Sequence, residues 1–244
     1  MGPVLMQRGL FVAGTDTGVG KSVVAAGLIR LALARGLRAQ GVKPVETGCE
    51  KVGDSLFPED GAFLVRASNK AIGLDECTPL RFSMPAAPYR AAKAEGKSVT
   101  LAWIEEHVRQ LTSRADLTVV EGAGGLMVPM GKDWLLIDLV ERLRFPVVLV
   151  GRSGLGTINH TLLSLEAMER RRIRTIGVML SSLSPDRGPE EEYTPGDLNA
   201  FSNRVPVYAL PHMDRATACD PGRIARELDR VGLGELVLTD CRTS

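Results

Sequence analysis

The feature that most constrains how this chain can fold is the segment Gly14-Thr15-Asp16-Thr17-Gly18-Val19-Gly20-Lys21-Ser22, which separates an apolar run of strand length from a segment of helical period. A strand, a glycine-rich turn and then Lys-Ser opening a helix is the arrangement a polyphosphate needs. Glycines let backbone N–H groups approach the phosphate oxygens, and the start of the helix adds about half a positive charge. Lys21 is placed to neutralise the β and γ phosphates, and Ser22 to offer a hydroxyl to Mg²⁺. Counting back from Gly20-Lys21, the generic pattern wants glycine at position 15. This chain has Thr15 there and its glycine one residue earlier, so the loop is a variant.

The rest of the chain continues the alternation that this unit begins. Apolar runs at Leu10 to Val12, Ala39 to Lys43, Leu117 to Val120, Val147 to Val150, Thr175 to Leu180 and Val207 to Leu210 read as strands. Several are almost continuous in Val, Leu and Ile, as expected when helices cover both faces of a parallel sheet. Helical spacing marks Ser22 to Arg35, Gly61 to Ser68, Leu101 to Ser113, Leu135 to Arg144, Ile158 to Arg172 and Arg223 to Val231. The expected fold is an α/β domain with a mostly parallel sheet flanked by helices. The Pro-punctuated segment from Thr78 to Gly96 and the acidic Ser181 to Gly196 read as long loops. No linker separates two cores, so residues 1–244 read as one domain.

Composition narrows the partners. Lys plus Arg (30) and Asp plus Glu (29) nearly cancel, so no broad basic field is available for nucleic acid or an anionic membrane. Cys49, Cys77, Cys219 and Cys241 form no C-x-x-C pair, which argues against a zinc site or a disulfide scaffold and fits a reduced cytoplasm. No run approaches the roughly 20 apolar residues of a membrane span, and Met1 to Leu10 lacks the build of a signal peptide. Met6 stands where a myristoylation signal wants Ser or Thr, so Gly2 reads as unmodified.

Glu121 ends the apolar run Leu117 to Val120 and precedes Gly122-Ala123-Gly124-Gly125. That places a carboxylate at the carboxyl edge of the sheet, where ligands bind in open α/β folds, and Mg²⁺ prefers oxygen ligands. Asp60 reads first as the cap of a helix starting at Gly61. Lys43, at the end of its strand with Thr47-Gly48 just beyond, is either a solvated lysine or a contact for a phosphate or carbamate. Trp103 and Trp134 read as core residues, His107 as a helix-surface residue, and the Arg170-Arg171-Arg172 run as cations favoured at a helix C-terminus.

Four blocks converge on a known family. Gly14-Thr15-Asp16-Thr17-x-Val19-Gly20-Lys21-Ser22, Lys43-Pro44-Val45-x-Thr47-Gly48, Val120-Glu121-Gly122-Ala123-Gly124-Gly125 and Gly156-x-Ile158-Asn159-His160 resemble dethiobiotin synthetase in order and spacing, over most of the chain. The loop with Thr15 is that family's own form, and its fold is that of the P-loop NTPases. The resemblance implies a cyclo-ligase of biotin biosynthesis that uses ATP, Mg²⁺ and CO2 to close the ureido ring of dethiobiotin on 7,8-diaminononanoate. It implies that Gly18, Val19, Gly20, Lys21, Ser22 and Val23 hold the nucleotide with Gly122, Ala123 and Gly124. Ser22, Asp60 and Glu121 would then hold the metal. Lys43 looks like the catalytic lysine beside Lys21 and Thr17, with Thr47 on the diamine or carbamate.

The resemblance also implies a homodimer in which Gly156 and Asn159 bind the carboxylate tail of the partner's substrate, with Tyr193 reaching the same site. Members of the family commonly carry Asn after the strand equivalent to Ile176 to Leu180, whereas this chain has Ser181-Ser182; Pro211, His212 and Met213, after the last strand, are expected to add main-chain contacts to the base. A hydroxyl has fewer directional donor and acceptor sites than an amide, so triphosphates other than ATP are expected to be accepted. The rival reading is a switch ATPase of the same loop class that binds a protein partner, which needs the loop and Glu121 but not Lys43 with Thr47. A cobyrinate amidating enzyme would need a further glutaminase domain, and a bare nucleotide-binding module would leave the convergent polar groups unused.

Overall fold

The apolar runs become strands, and those inside the sheet are buried on both sides at once, whereas the run from Val207 to Leu210 lies at an edge and is only partly buried. The computed structural model describes residues 8–182, 188–235 and 237; the expectations for Met1 to Gln7, for Cys241 and for residues 183–187 lie outside these. The chain begins with β1 (Gly9–Gly14), α1 (Lys21–Ala34), β2 (Ala39–Val42), β3 (Val45–Thr47), β4 (Glu50–Val52), β5 (Ser55–Phe57) and α2 (Glu59–Ala67). It continues through α3 (Leu74–Cys77), β6 (Leu80–Phe82), α4 (Pro88–Ala94), α5 (Leu101–Thr112), β7 (Leu117–Glu121), β8 (Pro129–Gly131) and β9 (Trp134–Leu135). Last come α6 (Leu136–Leu143), β10 (Val147–Arg152), α7 (Thr157–Arg170), β11 (Thr175–Ser181), α8 (Pro189–Phe201), β12 (Val207–Leu210), α9 (Arg215–Ala218) and α10 (Pro221–Arg230).

Among the described residues the main sheet has six strands in the order β12-β11-β10-β1-β7-β2, every neighbouring pair parallel. β1 and β7 are buried at every position, as strands covered on both faces must be. Helix α1 explains why its sequence lacks a polar stripe. One side packs on β1, β2 and β7, and the other receives α10. The two helices approach so closely at Gly27 that a Cβ there would lie 2.5 Å from Ile224 Cγ2. Burying a Leu or Ile side chain in such a layer stabilises by roughly 1.5–3 kcal/mol, and α1 buries Leu28, Ile29 and Leu31.

Three expectations are corrected. The supposed loop from Thr78 to Gly96 contains β6 and α4, and the supposed loop from Ser181 to Gly196 contains the first turns of α8. In both helices a proline occupies a first-turn position, Pro88 and Pro189, where its missing N–H costs nothing and its fixed φ suits a helix. Trp103 is 47% exposed and stacks on His107 instead of entering the core. The buried phase of α5 is Ile104, Val108, Leu111 and Thr112, one residue out of step with the tryptophan. Trp134 is half-buried and its indole N–H donates to Val99 O at 3.1 Å. The Arg170 to Arg172 run does more than face a dipole, for Arg171 reaches Asp138 at 2.5 Å and Glu141 at 2.9 Å.

Candidate active site

The order of the sheet fixes where a ligand fits. From the central β1 the chain reaches β7 and β2 on one side and β10, β11 and β12 on the other, and such a switch point opens a crevice at the carboxyl ends of the strands. Gly14 ends β1, Val42 ends β2 immediately before Lys43, and Glu121 ends β7, so all three feed this edge.

The variant loop has a steric cause. The Lys21 side chain doubles back across Gly14 and its Nζ donates to Asp16 O at 2.7 Å. A Cβ on residue 14 would fall 2.8 Å from both Cδ and Nζ of Lys21, so glycine is required there. Thr15 has ordinary backbone geometry and ties the loop to β10 through its N–H, which donates to Val150 O at 2.9 Å. Gly20 has φ 97°, and the position of its missing Cβ lies 3.0 Å from Ser181 Oγ, which brings the phosphate loop against the end of β11.

Glu121 is 1% exposed and organises the site. Its Oε1 accepts from Ser22 Oγ at 2.8 Å and from Lys43 Nζ at 2.9 Å, while Oε2 is buried with no hydrogen-bond partner. Lys43 Nζ also donates to Asp60 Oδ2. Burial alone would pull the Lys43 ammonium below its usual range, but Glu121, then Asp60 and Glu46, more than offset this and hold it charged. Burial pushes the Glu121 carboxyl up against the pull of Lys43. Asp60 is also pushed up by burial, yet Lys43 and Ser22 outweigh that and its net shift is downward. Burial lowers Lys21, with Glu121 opposing and Lys43 assisting.

Three oxygen donors thus meet beside the phosphate loop: Ser22 Oγ, the Asp60 carboxylate and the unpartnered Glu121 Oε2. A hard divalent cation that keeps several of its waters needs no more from the protein, so the residues present fit Mg²⁺. Among the described residues no three His, Cys, Asp or Glu side chains gather into a metal-binding group.

These groups line one cleft of about 600 Å³. Thr17, Gly18, Gly20, Lys21, Ser22 and Val23 form one wall, and Lys43, Thr47, Asp60, Glu121, Ala123 and Gly124 reach into it. Pro85 to Pro88, ahead of α4, supply an apolar wall that the sequence reading missed. Val19 and Gly122 do not line the cleft. Val19 is 1% exposed in the core, and Gly122 is pressed between Leu136 and Phe11. Ser181 and Ser182 are buried at the end of β11, where Ser182 N donates to Leu210 O at 3.1 Å. Pro211, His212 and Met213 follow directly and are half-buried, so the two strand ends expected to face a base are adjacent. Gly156 and Asn159, at the start of α7, are exposed and outside the cleft, as is Tyr193 at 61% exposure.

Asp60 is not the helix cap expected from sequence. Helix α2 starts two residues before Gly61, and Pro58 at its N-cap supplies no side-chain acceptor. The cap comes from Glu46 in β3, whose two oxygens accept from Asp60 N at 3.1 Å and Gly61 N at 2.9 Å. Glu46 fills the unspecified position in Lys43-Pro44-Val45-x-Thr47-Gly48. Its only sequence signal is a charged residue between Val45 and Thr47 in a short strand.

Comparison with known proteins agrees with this geometry. The family model described as an AAA domain matches residues 8–218. An ATP-dependent dethiobiotin synthetase BioD from Anaeromyxobacter sp. (strain K) is 43% identical over 205 residues, covering 84% of this chain and 90% of that protein. The Bacillus licheniformis protein of the same name is 37% identical over 211 residues, covering 86% and 88%. A ParA family ATPase from Chlorobium tepidum TLS superposes with TM-score 0.53 over 96% of both chains at 15% identity, a likeness of fold. With relatives this similar along nearly their whole length, and with the loop, lysine and carboxylates meeting in one cleft, the chain belongs to the dethiobiotin synthetase family.

Proposed function

We propose that this chain catalyses the Mg²⁺- and nucleoside-triphosphate-dependent carboxylation and ring closure of 7,8-diaminononanoate with CO2, giving dethiobiotin, nucleoside diphosphate and phosphate. The observation that carries the reading is the charged Lys43 ammonium, held by Asp60 and Glu121 within the same cleft as Lys21 and Ser22. A switch ATPase would need the loop and Glu121 but not Lys43 with Thr47 as a substrate pair.

One amine of the substrate bonds to CO2 and loses a proton, giving a carbamate. Thr17 and Thr47 supply hydroxyls that orient the diamine or carbamate. A carbamate oxygen then attacks the γ-phosphorus, the bond to the nucleoside diphosphate breaks, and a carbamic-phosphoric anhydride results. The second amine attacks its carbonyl carbon, forming the C–N bond that closes the ring and expelling phosphate as the amine proton departs. Lys21 balances the β and γ charge, and Lys43 balances the carbamate and the moving phosphoryl group. Ser22, Asp60 and Glu121 would hold Mg²⁺, which when bound would supply charge neutralisation for the phosphates. Charge placed in advance where it develops, in a site that excludes water, is the main source of acceleration in such transfers.

The exposed start of α7, with Gly156 and Asn159, and the exposed Tyr193 support a homodimer in which they complete the partner's site, since backbone amides at a helix start suit a carboxylate tail. A reduced cytoplasm fits the free thiols of Cys49, Cys77 and Cys219. Among the described residues no helix is long and apolar enough to cross a membrane. The test is phosphate release measured with and without diaminononanoate and bicarbonate, at equal ATP, CTP and GTP. Release that requires both co-substrates is expected, with more than one nucleotide accepted. Release independent of the diamine would favour the switch ATPase, and turnover with ATP alone would overturn the expectation of broad base use.

A further inference from the structure

Glu46 stands between the two residues of β3's neighbourhood that the proposed reaction uses, Lys43 and Thr47. It is 7% exposed, lines the cleft and carries a carboxylate in a place where burial penalises charge. Its oxygens hold the N–H groups of Asp60 and Gly61. The first turn of α2 is fixed from the other side as well, since a Cβ on Gly61 would lie 2.1 Å from Thr78 Oγ1. A Ser at the buried position 58 would cap the helix locally without burying a charge, yet the chain has Pro58 there. Capping from β3 instead joins the strand that carries Thr47, and that begins two residues after Lys43, to the turn that carries Asp60. We infer that Glu46 is a positioning residue that sets the Asp60 carboxylate at the metal and nucleotide side of the cleft in register with Lys43, an inference that rests on the proposed function for the role of Asp60.

Removing such an anchor leaves Asp60 in place chemically but free to shift. Supporting groups around a metal change its affinity by about 10–100-fold, and displacement near 1 Å costs about 100-fold in rate. The test compares the full chain with Glu46→Ala, Glu46→Gln and Ala67→Gly, the last weakening α2 away from the cleft. Mn²⁺ binding in the presence of a non-hydrolysable ATP analogue is followed by electron paramagnetic resonance, beside kcat, KM and melting temperature. For Glu46→Ala the expectation is a Mn²⁺ dissociation constant raised about 10-fold or more and a kcat lowered by a similar factor. Glu46→Gln keeps one acceptor oxygen and should fall between wild type and Ala. It carries the comparison if the alanine variant does not fold. Ala67→Gly should lower the melting temperature and leave Mn²⁺ binding unchanged.

If Glu46→Ala lowers the melting temperature while binding Mn²⁺ and turning over as wild type does, Glu46 is only a helix cap. If Gln recovers no more than Ala, anchoring through the backbone amides is overturned. Failure of wild type to need the diamine would defeat the proposed reaction, whereas the Mn²⁺ measurement tests the role of Glu46 independently.

Discussion

Replacing Lys43 by Met tests whether the buried charges are balanced as described. Methionine keeps the stem volume and removes the ammonium, leaving Glu121 Oε1 with the Ser22 hydroxyl as donor and Oε2 still without one. The Lys43 side chain is 7% exposed and that of Glu121 1%, so solvent does little to compensate. Breaking a buried pair by removing one partner costs about 3–5 kcal/mol. The pair with Asp60 adds little, because that side chain is 43% exposed and its charge can turn to water. In a domain of this size each kcal/mol corresponds to about 2–4 °C, so melting should fall by roughly 6–20 °C. Urea denaturation and thermal melting with EDTA and without nucleotide read this out. The double variant Lys43→Met with Glu121→Leu removes both charges and should regain most of the lost stability, since apolar replacements of a buried pair are often neutral or better. Both variants should lack turnover. A single variant within about 1 kcal/mol of wild type, or a double variant no more stable than the single, would refute the reasoning.

Three further expectations follow from the same edge of the sheet and from its opposite end. Lys21→Ala should abolish triphosphate turnover in a phosphate-release assay while the circular dichroism spectrum and melting curve stay close to wild type. Gly14→Ala places a methyl group 2.8 Å from the Lys21 stem and head, so nucleotide affinity, read by calorimetry, should drop even though Lys21 is still present; unchanged affinity would mean that the lysine does not need this path. Asp116 accepts from the Arg38 guanidinium, which lowers its pKa to about 2 from the ordinary 3.8. A lowered carboxylate pKa stabilises above the unfolded value and loses that contribution as pH falls from about 4 towards 2. With solvent screening the contribution is about 1 kcal/mol or less. Asp116→Asn should therefore narrow the stability difference from wild type as acid unfolding is approached, and a constant difference across that range would count against the pairing.

The parts of the fold and site that could be read in the sequence are those whose cause is local. The strands through Leu10, Val119 and Val148 are apolar along their length because both faces are covered, and the glycine loop needs its strand before it and its helix after it. Lys21, Ser22 and Glu121 inherit their places from these elements. What escaped depends on contacts across the chain. Asp60 reads as a cap until Glu46, fourteen residues earlier, is seen holding that turn. Helices α4 and α8 hide behind prolines that sit in their first turns, and Trp103 differs from a core residue only by the phase of α5, which its neighbours on α6 and β7 decide. The glycine at 14 looks irregular until the lysine stem that crosses it is located.

The strand order also divides the labour of the molecule along its length. The phosphate loop, Lys43, Asp60 and Glu121 all come from β1, β2 and β7 and the segments that follow them, within the first half of the chain. The ends of β11 and β12 come from the last third, and Ser181 lies against Gly20 of the loop. Positions 182 and 211 to 213, at the strand ends proposed to face the base, do not line the cleft that holds Lys21, Lys43 and Glu121, so substitutions there need not disturb the groups proposed to move the phosphoryl group. In a lineage, choice of nucleotide could drift with the cell's supply while the bond-making centre stayed as it was, and an engineer could exchange one without rebuilding the other.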